Sequence, residues 1–112
     1  MLTLPIKKKW FDMILSGEKK EEYRERNKHY FGLFRRYFGK YRNGEKGEWK
    51  RPEVAVQFRN GYSASSPSFI AVCTVDIGAG RPEWGAEPGK DYFRLQIKRI
   101  EKNQAESFTK GG

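Results

Sequence analysis

The chain contains 112 residues, a length that predicts one domain, because single domains typically contain about 100 to 150 residues. Eight Phe, six Tyr and three Trp make up 15% of it, so aromatic rings are expected to supply much of the core. One cysteine, Cys73, and one histidine, His29, exclude an internal disulfide and a zinc site of standard spacing. No apolar run reaches the roughly 18 residues that span a bilayer, and the first residues do not resemble a signal peptide. The sequence therefore predicts a cytoplasmic protein with no membrane partner.

Positive charge is concentrated in the first half of the chain. Residues 1–51 contain 15 basic and 7 acidic residues, a net charge of +8, whereas residues 52–112 contain 8 basic and 7 acidic residues, a net charge of +1. Such an uneven field favours a polyanionic partner, with nucleic acid ahead of an anionic membrane surface. The alternative is a basic surface that is merely solvated.

The hydrophobic pattern predicts a mixture of helices and strands. A short strand at residues 3–6 precedes an amphipathic helix at residues 7–16, and aromatic residues spaced by three and four predict a second helix at residues 29–42. Three later segments alternate apolar and polar residues with the period of two that is typical of strands. They cover residues 54–58, 69–77 and 92–100.

The remaining segments have the composition of loops and of a tail. Residues 43–52 are predicted to be an exposed loop, and residues 78–85, also rich in Gly and Pro, are predicted to be a rigid connection that contains turns. A serine-rich segment at residues 63–68 is predicted to be a linker, with phosphate binding through its hydroxyls as the alternative. The polar end at residues 105–112 is predicted to be a frayed tail that follows a single domain at residues 1–104.

The polar faces of both predicted helices carry candidate phosphate ligands. Lys7 and Lys8 stand at the start of the first helix, where the helix dipole disfavours cations. That conflict predicts contact with an anionic ligand, and a solvated helix start is the alternative. Arg35 and Arg36 lie opposite the aromatic stripe of the second helix and are predicted to contact phosphate, whereas the stripe itself is assigned to the core.

A charged motif follows the first helix. Gly17, Lys19, Glu22 and Arg24 fit the pattern G-x-K-x-x-E-x-R. This pattern, directly after a helix ending in Ile-Leu-x-Gly, resembles the signature of the ASCH domain family, and the resemblance covers most of the chain. It implies an α+β fold in which a small PUA-like β-barrel of five to six strands carries about two flanking helices and a cleft beside the motif. It is also the reason to predict a strand at residues 20–26, whose composition favours a helix or a loop.

The motif side chains have a chemistry of their own. In an extended strand Glu22 and Arg24 share one face, because side chains alternate with a period of two, so they can pair. The guanidinium of Arg24 offers a planar fork to a phosphate or a base edge. Lys19 and Glu22 are the catalytic candidates, since burial can lower the pKa of a lysine and a carboxylate can act as a base. The alternative is a surface strand of ion pairs with no site.

Two activities of the ASCH family are implied as alternatives to binding alone. The first removes an acyl group from the exocyclic nitrogen of acylated cytosine nucleosides, and uses the motif lysine, a threonine at the sixth motif position and a distant glutamate. Lys19 matches that lysine, but Glu22 stands at the threonine position. The second is a metal-assisted ribonuclease, whose motif lysine is again matched by Lys19. Of the two activities, only this one implies a divalent metal. The sequence identifies no metal ligand and no other cofactor.

Further base-binding candidates lie outside the motif. Arg81 and Trp84 form a turn in which an arginine adjoins an aromatic ring, an arrangement able to stack on a base. The alternative is a Trp that caps the end of the barrel. Arg26 adds a positive charge at the end of the motif strand. Together these features predict RNA or nucleotide binding in a basic cleft, with no obligate protein partner, and a non-catalytic protein-interaction module is the third alternative.

Overall fold

The computed structural model describes residues 1–39, 42–43 and 49–103. Within this part of the chain it confirms the predicted α+β class, with a five-stranded half-barrel sheet, two helices and a separate two-stranded ribbon. A single 3₁₀ turn, Pro82–Trp84, precedes the last strand. The helices and strands in chain order are β1 (Leu2–Pro5), α1 (Lys8–Leu15), β2 (Glu21–Arg24), α2 (Lys28–Phe38), β3 (Arg42–Asn43), β4 (Trp49–Lys50), β5 (Val54–Arg59), β6 (Ser68–Ala79) and β7 (Asp91–Asn103).

The sheet places the motif strand at one edge. Its strand order is β1-β5-β6-β7-β2, with β1 parallel to β5 and every other pair antiparallel. The two edge strands, β1 and β2, are consecutive in the chain and are joined by α1. Nη2 of Arg24 donates a hydrogen bond of 2.7 Å to the carbonyl oxygen of Pro5. A motif side chain therefore bridges the two edges of the half-barrel.

Aromatic rings fill the interior, as the composition predicts. The rings of Phe11 and Phe58 both pack against Phe69, with centroid separations of 5.0 and 5.2 Å. Phe34 of α2 packs edge-on against Phe93 of β7 at 5.3 Å. Such ring pairs add to the stabilisation that comes from burying their area. Both helices therefore cover the sheet through phenylalanine.

The second helix ends earlier than predicted. Its start is fixed by Asn27, whose side chain accepts a hydrogen bond of 2.9 Å from the backbone of Tyr30. It ends before Gly39, which has a φ of 68°, and Arg42–Asn43 already belongs to β3. The aromatic spacing continues past this point in sequence, but a left-handed glycine terminates the helix. The prediction of helix to residue 42 was therefore wrong, and residues 40 and 41 lie outside the described residues.

The later strands are longer than their hydrophobic patterns. β6 begins one residue before and ends two residues after the predicted segment, and β7 continues to Asn103. The prediction of a loop throughout residues 43–52 is corrected, because this segment contains the end of β3 and all of β4, which pair with each other over two residues. Residues 44–48 lie outside the described residues. The predicted tail at 105–112 also lies outside them. No helix among the described residues has the length and apolar character needed to cross a bilayer.

Cys73 is expected to be chemically inert in the folded protein. It lies on β6 with no exposed surface, and burial raises the pKa of its thiol to about 12. Because the thiolate is the reactive form, iodoacetamide at pH 8 should leave the native protein unmodified and should alkylate it in urea. Mass spectrometry measures both results, and rapid alkylation of the native protein would contradict the burial of this side chain.

The same thiol predicts a pH dependence of stability. In the unfolded chain Cys73 ionises near its ordinary pKa of 9.0, whereas in the folded protein it stays protonated to about 12. The free energy of unfolding should therefore fall between these pH values, by up to about 1.4 kcal/mol per pH unit. Urea denaturation of the protein and of Cys73→Ala from pH 8 to 11 isolates this contribution, since all other titrating groups are shared. Identical slopes would refute it.

Candidate functional site

A cavity of about 640 Å³ opens where the two edge strands of the sheet meet. It lies between the end of β1, the first turn of α1, the motif strand β2, the first turn of α2, the loop at residues 60–62 and the segment at residues 85–92. The described residues that line it are Pro5, Ile6, Lys7, Trp10, Glu22, Tyr23, Arg24, Glu25, Tyr30, Asn60, Gly61, Tyr62, Gly85, Glu87 and Tyr92. Two motif residues, Glu22 and Arg24, are among them.

Lys19 lies beneath this cavity and does not line it. Its side chain is only 1% exposed, and its Nζ lies 3.3 Å from Oε1 of Glu22. The same Nζ donates a hydrogen bond of 2.6 Å to the carbonyl oxygen of Trp84. The rings of Trp10 and Tyr23 flank it, with centroids at 4.8 and 4.7 Å. Burial lowers the pKa of Lys19, and the charge of Glu22 acts in the opposite direction.

Two glycines allow the turn after β6 to lie on the rings around Lys19. A Cβ on Gly85, where φ is +103°, would lie 2.9 Å from the Trp10 ring. A Cβ on Gly80 would lie 2.7 Å from the Tyr23 ring. These approaches are closer than side-chain atoms tolerate, so the close contact requires glycine at both positions. The turn that supplies the Trp84 carbonyl is thereby held against the motif.

Glu22 and Arg24 form the pair that the strand geometry predicts. Oε2 of Glu22 accepts a hydrogen bond of 2.8 Å from Nη2 of Arg24, and the two side chains are 7% and 10% exposed. Nη1 of Arg24 donates a hydrogen bond of 3.2 Å to the hydroxyl of Tyr30. Nε of Arg24 is buried and donates to no group in the described part of the chain. The guanidinium therefore has a buried donor without a partner among the described residues.

Aromatic residues form a further part of the wall. Trp10, Tyr30 and Tyr92 present rings to the cavity, and Tyr62 stands at its edge with 90% of its surface exposed. The hydroxyl of Tyr92 accepts a hydrogen bond of 2.9 Å from the backbone N–H of Glu87. These four residues were not predicted as site residues. Their signal in the sequence is that Tyr and Trp carry a polar group at the end of a ring, and therefore suit a surface that contacts both core and ligand.

The other predicted ligand residues lie around the cavity or away from it. Lys7 lines it, whereas the neighbouring Lys8 is exposed and pairs with Asp12 at 2.7 Å. Arg26 is exposed two residues beyond Arg24. The structure thus brings Lys7, Glu22 and Arg24 together in one cavity.

The main cavity is not lined by the predicted arginines of α2 or by the predicted turn of Arg81 and Trp84. Arg35 and Arg36 are exposed on α2, and Arg35 borders a second, mainly apolar cavity of about 250 Å³. The guanidinium of Arg81 lies 4.8 Å from the ring of Trp84, which is half-buried. The predicted contact between Arg81 and an aromatic ring is therefore present, but neither residue lines the main cavity.

The charge of the main cavity is mixed. Its described lining contains the cations Lys7 and Arg24 and the carboxylates Glu22, Glu25 and Glu87. The sequence predicts a basic cleft, and this composition corrects that expectation. Among the described cations of the first half of the chain, Lys8, Arg26, Arg35 and Arg36 are exposed and do not line this cavity.

No three His, Cys, Asp or Glu side chains meet in a geometry suited to a metal ion within the described residues. Comparison with known proteins returns no match: no family model, no curated protein and no solved structure is significantly similar to the chain. The function must therefore be argued from the geometry of the cavity itself.

Proposed function

We propose that the protein binds RNA or a nucleotide, with one nucleobase held in the main cavity. The observation that carries this proposal is the ion pair of Glu22 and Arg24 in a cavity that is also lined by aromatic residues. Its volume of about 640 Å³ lies within the roughly 300 to 1,000 Å³ typical of small-molecule sites. Aromatic rings beside charged and polar groups suit a planar, hydrogen-bonding heterocycle.

Stacking supplies the largest part of the expected affinity. An aromatic side chain contributes about 1 to 3 kcal/mol for each base that stacks on it. Tyr62, exposed at the edge of the cavity, has a free ring face for this contact. Arg24 supplies a planar donor to the base edge. Phosphates would then contact exposed cations that follow a cavity-lining residue in the chain. These cations are Lys8, which follows Lys7, and Arg26, which follows Glu25.

The motif supports assignment of the chain to the ASCH domains as a compact member, and this assignment is part of the proposal. Binding is favoured over catalysis because the ammonium of Lys19 is buried, already donates to Trp84 and contacts Glu22. We assign Lys19 a positioning role, in which it orients Glu22. Ribonuclease or nucleoside amidohydrolase activity would require this ammonium to reach the cavity. An open cavity also favours a small ligand over a bare protein-interaction module.

The proposal predicts salt-dependent RNA binding. Neutralisation of phosphates releases counterions, so the logarithm of the affinity should fall linearly with the logarithm of the salt concentration. Fluorescence anisotropy of a labelled single-stranded oligoribonucleotide, titrated between about 50 and 200 mM KCl, measures the slope. Affinity that does not change with salt would exclude phosphate contacts, and absence of binding at low salt would exclude RNA as the ligand.

Tyr62→Ala is expected to weaken nucleotide binding by about 5-fold to 150-fold, the loss that corresponds to one base–aromatic stack. The folded structure should survive, because Tyr62 is 90% exposed. The matched control is Phe31→Ala, which removes an aromatic ring 57% exposed on α2 and outside the main cavity. Equal losses for the two variants, measured by calorimetry with a mononucleotide, would show that binding does not use this cavity.

A further inference from the structure

We infer that the cavity selects bases that present a ring carbonyl, such as uracil and hypoxanthine, over bases that present an amino group at the same position, such as cytosine and adenine. This inference rests on the proposed function and specifies its ligand. It follows from the hydrogen-bonding groups that the protein leaves unpaired in the cavity wall.

Two tyrosine hydroxyls in the wall are used by the protein as acceptors. The hydroxyl of Tyr30 accepts from Nη1 of Arg24 at 3.2 Å, and the hydroxyl of Tyr92 accepts from the backbone of Glu87 at 2.9 Å. Neither hydroxyl donates a hydrogen bond within the described residues. A phenol carries one proton, and a protein N–H already occupies one of its acceptor directions, so that proton is directed elsewhere. Both residues line the cavity, and Tyr92 is only 5% exposed.

Arg24 adds a third unpaired donor. Its side chain is 10% exposed, and its Nε is buried without an acceptor in the described part of the chain. A buried donor without a partner is destabilising. An acceptor on a ligand that displaced the neighbouring side chains would relieve this penalty, which favours ligands rich in carbonyl oxygen.

The buried carboxylate of the same wall is engaged, whereas the exposed carboxylates keep oxygens that have no partner among the described residues. Both oxygens of Glu22 contact cations, Oε1 to Lys19 and Oε2 to Arg24. Glu25 pairs with Lys90 at 2.9 Å. Glu87 is exposed at the rim. In the buried part of the wall the groups left to recognise a base are therefore donors.

The chemistry of the bases turns this surplus of donors into selectivity. Uracil and hypoxanthine carry a carbonyl oxygen where cytosine and adenine carry an amino group. A carbonyl accepts the phenol proton, whereas an amino group brings a second donor against it and leaves both unpaired. A site built to hydrogen-bond one group discriminates strongly against an analogue that lacks it.

Calorimetry with four nucleosides tests the inference without a contribution from phosphate. Uridine should bind about tenfold tighter than cytidine, and inosine about tenfold tighter than adenosine, the ratios expected for one unmatched buried donor. Tyr30→Phe and Tyr92→Phe should each reduce both ratios, because uridine and inosine lose a hydrogen bond while cytidine and adenosine no longer bury an unpaired phenol proton. Tyr37→Phe, which alters a tyrosine of α2 outside the cavity, should leave the ratios intact.

The outcomes separate this inference from the proposed function. Equal binding of all four nucleosides would overturn the selectivity and leave nucleotide binding in place. Preference for cytidine and adenosine would also overturn it, because the carboxylates would then govern recognition. No binding of any nucleoside, together with no binding of RNA, would overturn both. Thermal unfolding of each variant identifies loss of fold, and Tyr30→Phe decides the question if Tyr92→Phe does not fold.

Discussion

Lys19→Met is expected to lower the free energy of unfolding by about 3 to 5 kcal/mol, the cost of removing one partner from a buried ion pair. Lys19 is 1% exposed and Glu22 is 7% exposed, so water cannot replace the lost charge. The substitution also leaves the carbonyl of Trp84 without its donor. Methionine fills most of the space between the rings of Trp10 and Tyr23. The decrease in the free energy of unfolding therefore comes mainly from the lost charge and hydrogen bond, and less from a new cavity.

Urea denaturation measures this loss, and two further variants interpret it. Lys8→Met removes a lysine that is 76% exposed and paired with Asp12, and it should leave stability essentially unchanged. Combining Lys19→Met with Glu22→Gln should recover part of the loss, because the buried carboxylate is then neutral. A double variant less stable than Lys19→Met would show that Glu22 is stabilised chiefly by Arg24. A single variant as stable as the parent would contradict the burial of this pair.

The sequence predicts those parts of the fold whose residues obey a simple periodicity. β5, β6 and β7 were found because alternating apolar residues mark strands that are buried on one face, and Phe69 and Cys73 indeed face the core. β2 has no such pattern, because its inward positions are the charged residues Glu22 and Arg24, and its other face carries Glu21 and Tyr23. Only the resemblance to the ASCH domains predicted it as a strand, and its pairing with β7, in which Glu22 lies opposite Leu95, is a contact over a long sequence separation.

The candidate site was predicted in part. The pairing of Glu22 with Arg24 follows from the spacing of side chains along one strand, whereas the burial of Lys19 depends on the turn that contains Gly80 and Gly85. That turn lies more than 60 residues further along the chain, so no local pattern indicates it. The tyrosines of the cavity could not be separated from core aromatics, because hydrophobic spacing gives the same signal for a ring that packs and for a ring that lines a cavity.

Arg24→Ala is expected to lower the free energy of unfolding by about 3 kcal/mol or more and to abolish measurable nucleotide binding. Arg24 donates to three groups: the carboxylate of Glu22, the carbonyl of Pro5 and the hydroxyl of Tyr30. Its loss leaves Glu22 buried with Lys19 alone. It also removes the contact between the two edge strands, so both the charge balance and the shape of the cavity change.

Arg99→Ala is the matched control, because both arginines pair with carboxylates but only Arg24 is buried. Arg99 pairs with two carboxylates, those of Glu53 and Glu101, each at 3.1 Å, but its side chain is 58% exposed. Water and salt screen such pairs, so denaturation and nucleotide titration of this variant should match the parent protein. If Arg99→Ala reduced binding as much as Arg24→Ala, the motif would not be the binding site. If Arg24→Lys restored stability but not binding, the planar fork of the guanidinium would be identified as the group that recognises the ligand.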